Sequence, residues 1–109
     1  MGRAGEKRAV VFLKKKGFKI LKTNYKTVFG EIDIIAQDKD TIVFIEVKTR
    51  TSDNYGVPSE AVDKRKQEKY YKTATYYLQT EKKTDSTCRF DVIEIENGEI
   101  NHIFNAFGV

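Results

Sequence analysis

The segment Ile42-Val43-Phe44-Ile45-Glu46-Val47-Lys48 constrains the fold more than any other part of the chain. Side chains of a strand alternate between two faces. Here Ile42, Phe44, Glu46 and Lys48 share one face, and Val43, Ile45 and Val47 share the other. Both faces begin apolar, as in a central strand covered above and below. Such a strand needs flanking strands and packed helices, which points to an α/β protein. The pattern also singles out Glu46 and Lys48, because burying an unpaired charge costs several kcal/mol.

The flanking sequence supplies the other elements. Residues 3–16 predict a helix, with Ala4, Ala9, Val10, Phe12 and Leu13 at roughly helical spacing. Lys14–Lys16 and Gly17 close it, cations at its negative pole and glycine as cap. A first strand runs from Phe18 to about Tyr25 and a second from about Phe29 to Ala36. The Gln37–Asp40 turn leads into the third, Thr41 to Arg50. Residues 51–57 read as a polar loop. Pro58 opens a second helix, with Ser59 and Glu60 in its first turn. It extends to about Thr80, and Val62, Tyr70, Ala74, Tyr77 and Leu78 mark its inner face. After a polar loop at 81–87, Arg89 to Glu96 forms a fourth strand. Asn97-Gly98 is a strong hairpin signal and pairs it with Ile100 to Phe104. The order is α-β-β-β-α-β plus a short strand. The helix between strands three and four is long enough for a crossover, giving one mixed sheet. A length of 109 residues predicts a single domain, 1–109.

Composition narrows the chemistry. One Cys and one His exclude an intrachain disulfide, a Cys-based zinc cluster and a His-rich metal site. Any metal has to be a hard cation held by carboxylates. No apolar run reaches a membrane span, and the start lacks a secretory signal, so a soluble cytoplasmic protein is expected. Charge is unevenly spread. Residues 1–26 carry nine bases and one acid, whereas 27–50 carry three bases and five acids. A basic half beside an acidic centre suits an anionic polymer and a metal, although a lysine-rich surface also serves solubility alone.

In the acidic centre, alternation places Glu31, Asp33 and Ile35 on one face of strand two, opposite Ile32, Ile34 and Ala36. Two readings are open. Asp33 or Glu46 pairs with Lys48 across the strands, or the strand simply emerges into solvent. Alternatively, the two carboxylates hold one divalent cation, as magnesium prefers. The cation then acts on a phosphodiester, and Lys48 orients the nucleophile or stabilises charge at phosphorus.

Longer motifs carry a resemblance. Asp33 followed by Glu46-Val47-Lys48 is similar to the D…(D/E)-x-K signature of the PD-(D/E)XK nuclease superfamily. Nearly the whole chain resembles the YraN family, small bacterial proteins similar to archaeal Holliday-junction resolvases. The likeness rests on Gly5-Glu6, Gly30-Glu31-Ile32-Asp33-Ile34-Ile35-Ala36, Val43-Phe44-Ile45-Glu46-Val47-Lys48-Thr49-Arg50, Glu60-Ala61-Val62, Lys66-Gln67, Ala74 with Tyr77-Leu78, and Arg89-Phe90-Asp91-Val92. It implies a restriction-endonuclease-like core with a mixed central sheet, flanking helices and a C-terminal hairpin strand. It also implies Asp33 and Glu46 as ligands of Mg2+ or Mn2+, Glu6 as an assisting ligand and Lys48 as the catalytic lysine. The residue before Asp33 is Ile32 rather than proline, a departure from the signature. The implied activity is hydrolysis of DNA, branched DNA by likeness to the resolvases, with RNA not excluded. Junction resolution needs two active sites, hence a homodimer. The alternative is a non-catalytic nucleic-acid-binding module that keeps the fold.

Other residues have paired readings. Glu31 is an extra ligand or a supporting partner. Lys66, with Gln67 beside it, points towards the site or a phosphate, or else covers apolar surface with its stem. Lys14, Lys15, Lys16, Lys19 and Lys22 contact backbone phosphates or form a solvated face. Arg50 contacts DNA or pairs with a nearby acid. Tyr70, Tyr71, Tyr76 and Tyr77 stack bases or belong to the core and its margin. Cys88, His102 and Asp91 read as structural.

Overall fold

The computed structural model describes residues 2–50 and 64–107. The elements are α1 (Gly2–Lys15), β1 (Lys19–Thr27), β2 (Gly30–Asp38), β3 (Thr41–Arg50), α2 (Lys64–Thr80), β4 (Thr87–Glu96) and β5 (Glu99–Ile103). The expected loop at 51–57 and helix start at Pro58, with Ser59, Glu60 and Val62, lie outside the described residues.

The strands form one mixed sheet in the order β1-β2-β3-β4-β5. Neighbours are antiparallel except β3 and β4, which run parallel from Thr41↔Thr87 to Arg50↔Glu96. β3 is therefore central. α1 covers the face carrying Ile34, Ala36, Val43, Ile45, Ile93 and Ile95, onto which Ala9 and Leu13 pack. Ala4 is exposed and contributes nothing to that seam. α2 covers the other face through Tyr70, Ala74 and Tyr77, against Ile35, Phe44 and Phe90 among others.

The helix ends follow from local chemistry. Phe18 N–H donates to Leu13 O and Gly17 N–H to Lys14 O, each at 3.0 Å, and Gly17 has φ 93°. This is the glycine-capped end that the sequence predicts, and Phe18 turns inward beside Leu13. α2 closes the same way, with Lys83 N–H on Leu78 O at 2.7 Å and Lys82 N–H on Gln79 O at 3.2 Å. The residue at the left-handed position there is Lys82, φ 57°. Asn97 (φ 51°) and Gly98 (φ 84°) make the β4–β5 turn with both central residues at positive φ, as that dipeptide favours.

One departure from strict alternation matters for the site. Ile32 packs with Ile35 beneath α2, while Ile34 and Ala36 face α1, so Ile32 and Ile34 do not share a face. The β2–β3 ladder ends at Ile34↔Ile45. Beyond it the strands splay, and the side chain of Asp33 fills the gap: its Oδ2 accepts from Val47 N–H at 2.9 Å.

In the middle of β4, opposite Ile45 of β3, Asp91 is fully buried. It accepts from Arg89 Nε at 3.0 Å and from Asn105 N–H at 2.8 Å. His102 Nε2 lies 2.8 Å from its Oδ2, and Lys16 Nζ lies 3.0 Å from His102 Nδ1. A lysine donating to Nδ1 leaves the proton on Nε2, where it is given to Asp91. The network fastens the chain after β5, so that Phe107 stacks on Phe90 and Tyr70. Asp91 and His102 thus serve the structural role expected of them. Cys88, half-buried, packs against the α2-side core.

Candidate metal centre

Where β2 and β3 splay, an open cavity of about 740 Å3 forms between the sheet, α1 and α2. Four acids line it: Glu6 from α1, Glu31 and Asp33 from β2, and Glu46 from β3. Lys66 and Tyr70 of α2 close it from above.

Glu46 is 7% exposed, a deeply buried charge. Lys66 Nζ lies 2.6 Å from its Oε2, while its Oε1 is buried without a hydrogen-bond partner. Of the two readings of these charges, the cross-strand pairing of Lys48 with Asp33 or Glu46 does not occur among the described residues. Lys48, half-buried two residues further along β3, makes no ion pair among the described residues and does not line the cavity. The ammonium that answers Glu46 comes from α2.

Asp33 responds to the same crowding. Burial, and then the charges of Glu6, Glu46 and Glu31, raise its carboxyl from 3.8 to about 6 against the lowering bond from Val47 N–H. The Tyr70 phenol is also pushed up, by burial first and then by Glu46. Asn24 organises the outer acids. It sits in β1 at φ 51° and donates through Nδ2 to Glu6 Oε1 at 2.7 Å and, more weakly, to Glu31 Oε2 at 3.5 Å. Asparagine tolerates that left-handed backbone better than most residues. Asn24 and Tyr70 are site residues that sequence reasoning missed as such. An asparagine inside a strand, where it is disfavoured, was the available signal for the first.

The donors suit a hard cation. All are oxygens, one buried oxygen has no partner, and a lysine ammonium already occupies the position of a positive charge against Glu46. No three His, Cys, Asp or Glu side chains among the described residues lie close enough together to hold a metal ion. Asp33 and Glu46 are the pair best placed to do so, with Glu6 turned to Asn24. Magnesium commonly takes only one or two protein carboxylates and completes its shell with water and phosphate.

The other predicted residues separate from this site. Lys14 and Lys15 end α1 and Lys16 follows it, more than two turns beyond Glu6, and Lys19 pairs with Gln37 at the far end of β2 from Asp33. Lys16 is engaged with His102 and lies over the Phe12 and Phe104 rings. Lys22 is exposed on β1 opposite Ile35. Arg50 Nε lies 2.7 Å from Glu94 Oε2, so Arg50 takes the acid partner of its two readings. Gln67 is half-buried on α2 and does not line the cavity. Of the tyrosines, Tyr70 and Tyr77 are core, Tyr71 is half-buried and Tyr76 is exposed. Among the described residues, no helix is long and apolar enough to cross a membrane.

Fold and site define an α/β protein with a mixed five-stranded sheet, two helices and an acidic cavity where two central strands part. The chain belongs to the uncharacterised protein family UPF0102, whose family model matches residues 5–95, and this is the family that the YraN-like motifs indicate. It is similar over almost its full length to proteins named only as UPF0102 proteins. One, from Caldanaerobacter subterraneus subsp. tengcongensis, is 51% identical, covering 98% of this chain and 93% of the relative. One from Clostridium acetobutylicum is 46% identical, covering 99% and 93%. One from Thermodesulfovibrio yellowstonii is 51% identical, covering 98% and 95%.

Proposed function

We propose that the protein is a divalent-metal-dependent endonuclease with a PD-(D/E)XK-type core that hydrolyses DNA phosphodiesters, branched or structured DNA being the favoured substrate. The observation that carries the reading is Glu46: a carboxylate 7% exposed with an unpartnered oxygen, beside Asp33 in a cavity of acids. Lys66 already answers one of its oxygens; the other, buried beside the Tyr70 hydroxyl, is costly to leave without a donor of its own, and a divalent cation would meet it. The mixed sheet, with its parallel central pair and helices on both faces, supports the same fold class.

Asp33 and Glu46 would hold Mg2+ or Mn2+, with Glu6 reachable once it releases Asn24. When bound, the cation supplies Lewis-acid polarisation of a phosphodiester and lowers the pKa of water. The chain's own residues do the rest. The Val47 N–H fixes the Asp33 carboxylate in place. Lys66 balances Glu46 while no cation is present. Lys48, by its likeness to the superfamily lysine, assists at the reacting phosphate. Paired cuts in a junction would call for two copies.

The test is cleavage of labelled four-way junction, flap, single-stranded and duplex DNA in magnesium, manganese and chelator. Wild type is compared with Asp33→Ala and Lys48→Ala, and matched RNA is included. Cleavage lost in chelator and in both variants is the expected result. Binding without cleavage under any metal would replace this reading with that of a binding module.

A further inference from the structure

We infer that the exposed aromatic pair Phe29 and Tyr76 is a stacking shelf for an unpaired DNA base, so that the substrate carries unpaired nucleotides a short distance from the cleaved phosphate. This rests on the nuclease reading above and deepens it.

The β1–β2 turn presents Val28 at 95% exposure and Phe29 at 40%. Large apolar groups at a hairpin tip are costly to leave in water. The tip is also braced: Phe29 N–H donates to Thr27 Oγ1 at 3.0 Å, and Thr27 Oγ1 donates to Gly30 O at 3.4 Å. Across from it on α2 stands Tyr76, 47% exposed, its ring centroid 6.3 Å from that of Phe29 at an interplanar angle of 59°. The two rings form an open angle rather than a closed stack, and a shallow cavity of about 310 Å3 adjoins them. The helix passes directly over the turn: a Cβ added to Gly30 would lie 3.4 Å from Lys69 Cβ and from Thr73 Oγ1. Gly30 lines the acidic cavity, and Phe29 beside it in the chain lines the shallow one, so the two lie next to each other.

Charge decides the occupant. Lys69, Lys72 and Tyr76 follow one another at i, i+3 and i+7, a single stripe of α2. Both lysines are exposed, and Lys69 also lines the acidic cavity. The stripe therefore starts at the proposed cation site and ends at the aromatic pair. From Lys66 to Tyr76 is ten residues, about 15 Å of helix rise. That matches roughly four nucleotides of a stacked strand at 3.4 Å each. A backbone entering the cavity would be followed by the lysines, and its bases would arrive at aromatic faces. In a paired duplex those base faces are hidden within the stack, so only an unpaired base can use the shelf.

The test is anisotropy titration of the full chain, in chelator, with a fully paired labelled duplex and with the same duplex carrying a four-nucleotide single-stranded gap. A 2-aminopurine in the gap reports stacking. Wild type should favour the gapped DNA about tenfold, with quenching of the 2-aminopurine. Phe29→Ala and Tyr76→Ala should each bring the ratio of affinities close to one, whereas Tyr76→Phe should keep it. Both positions are solvent-exposed, and circular dichroism verifies that each variant is folded. Unchanged ratios in both alanine variants would overturn the inference. So would full preference in Phe29→Leu, which keeps an apolar contact but no aromatic face and would indicate a protein partner. Sedimentation showing a wild-type dimer that these variants dissociate would overturn it too, assigning the patch to a second copy of the chain. Because binding is read without a metal, the two ideas fail separately. Gap preference without any cleavage in magnesium overturns the nuclease reading alone, and cleavage by a chain indifferent to the gap overturns only the shelf.

Discussion

Replacing Asp33 by Asn should stabilise the protein in the absence of metal and remove its response to magnesium. The magnitude follows from the crowding of acids. The Asp33 carboxyl is raised from 3.8 to about 6, by burial first and then by Glu6, Glu46 and Glu31. That rise is a penalty of at most about 3 kcal/mol on the charged form. With the folded-state value above the unfolded one, the stability is fully present below about pH 4 and is lost as pH rises through about 6. Asparagine carries no charge and keeps an oxygen to accept from Val47 N–H, so the variant should escape this loss. In urea unfolding with chelator, Asp33→Asn should match wild type near pH 4 and exceed it by about 2–3 kcal/mol at pH 8. Magnesium at pH 8 should then raise the unfolding midpoint of wild type and leave that of the variant unmoved, because binding to the folded state alone stabilises it. A variant no more stable than wild type at pH 8, or equally more stable at pH 4, would refute the claim that clustered carboxylates strain this site.

Other perturbations have definite outcomes. Asp91→Asn should cost about 3 kcal/mol in urea unfolding at pH 7, because Arg89 loses its buried counter-charge. Burial alone would push the Asp91 carboxyl up, but the bonds from His102, Arg89 and Asn105 hold it below its ordinary value. Its contribution should therefore be present above about pH 4 and fade as pH falls further, a slope missing from the variant. Gly5→Ala should cost about 1–2 kcal/mol in thermal unfolding, since its Cβ would collide with Thr49 Oγ1 where α1 crosses β3. Lys82→Gly should raise stability by about 0.5–1 kcal/mol by relieving a non-glycine residue at the left-handed end of α2.

The parts of this fold legible in the sequence are those dictated by short-range patterns. β3 stands out because both its faces begin apolar, and its bounds, Thr41–Arg50, agree with those read from the sequence. The Asn97-Gly98 turn and the crossover that makes β3 and β4 parallel follow from residue type and element length. Asp33 and Glu46 attract notice as charges on apolar strands. What period-two reasoning misses is the place where the period fails. It puts Ile32 on the same face as Ile34, because it has no means of anticipating that a carboxylate replaces a ladder bond at Val47. The partner of Glu46 is equally hidden, since Lys66 lies twenty residues away on another element. Lys48, two residues from Glu46, looks like the nearer answer on a one-dimensional chain. The basic residues around 14–22 form one run in sequence, yet the fold carries them away from the acids.

That displacement gives the β1 lysines another physical consequence. β1 forms one border of the sheet, where unsatisfied backbone groups invite a foreign strand to add on. Lys19, Lys22 and Lys26 are all exposed along it, the pairing slips between Ile20 and Lys22, and Asn24 twists the backbone out of the extended region. Charges, a bulge and a kink are the devices by which natural sheets resist such accretion. The opposite border, β5, is only five residues long. Among the described residues, both borders of the sheet are therefore poor templates for a foreign strand. Contact between two copies of this chain is accordingly favoured through helices, turns or strand ends over joining their sheets into one.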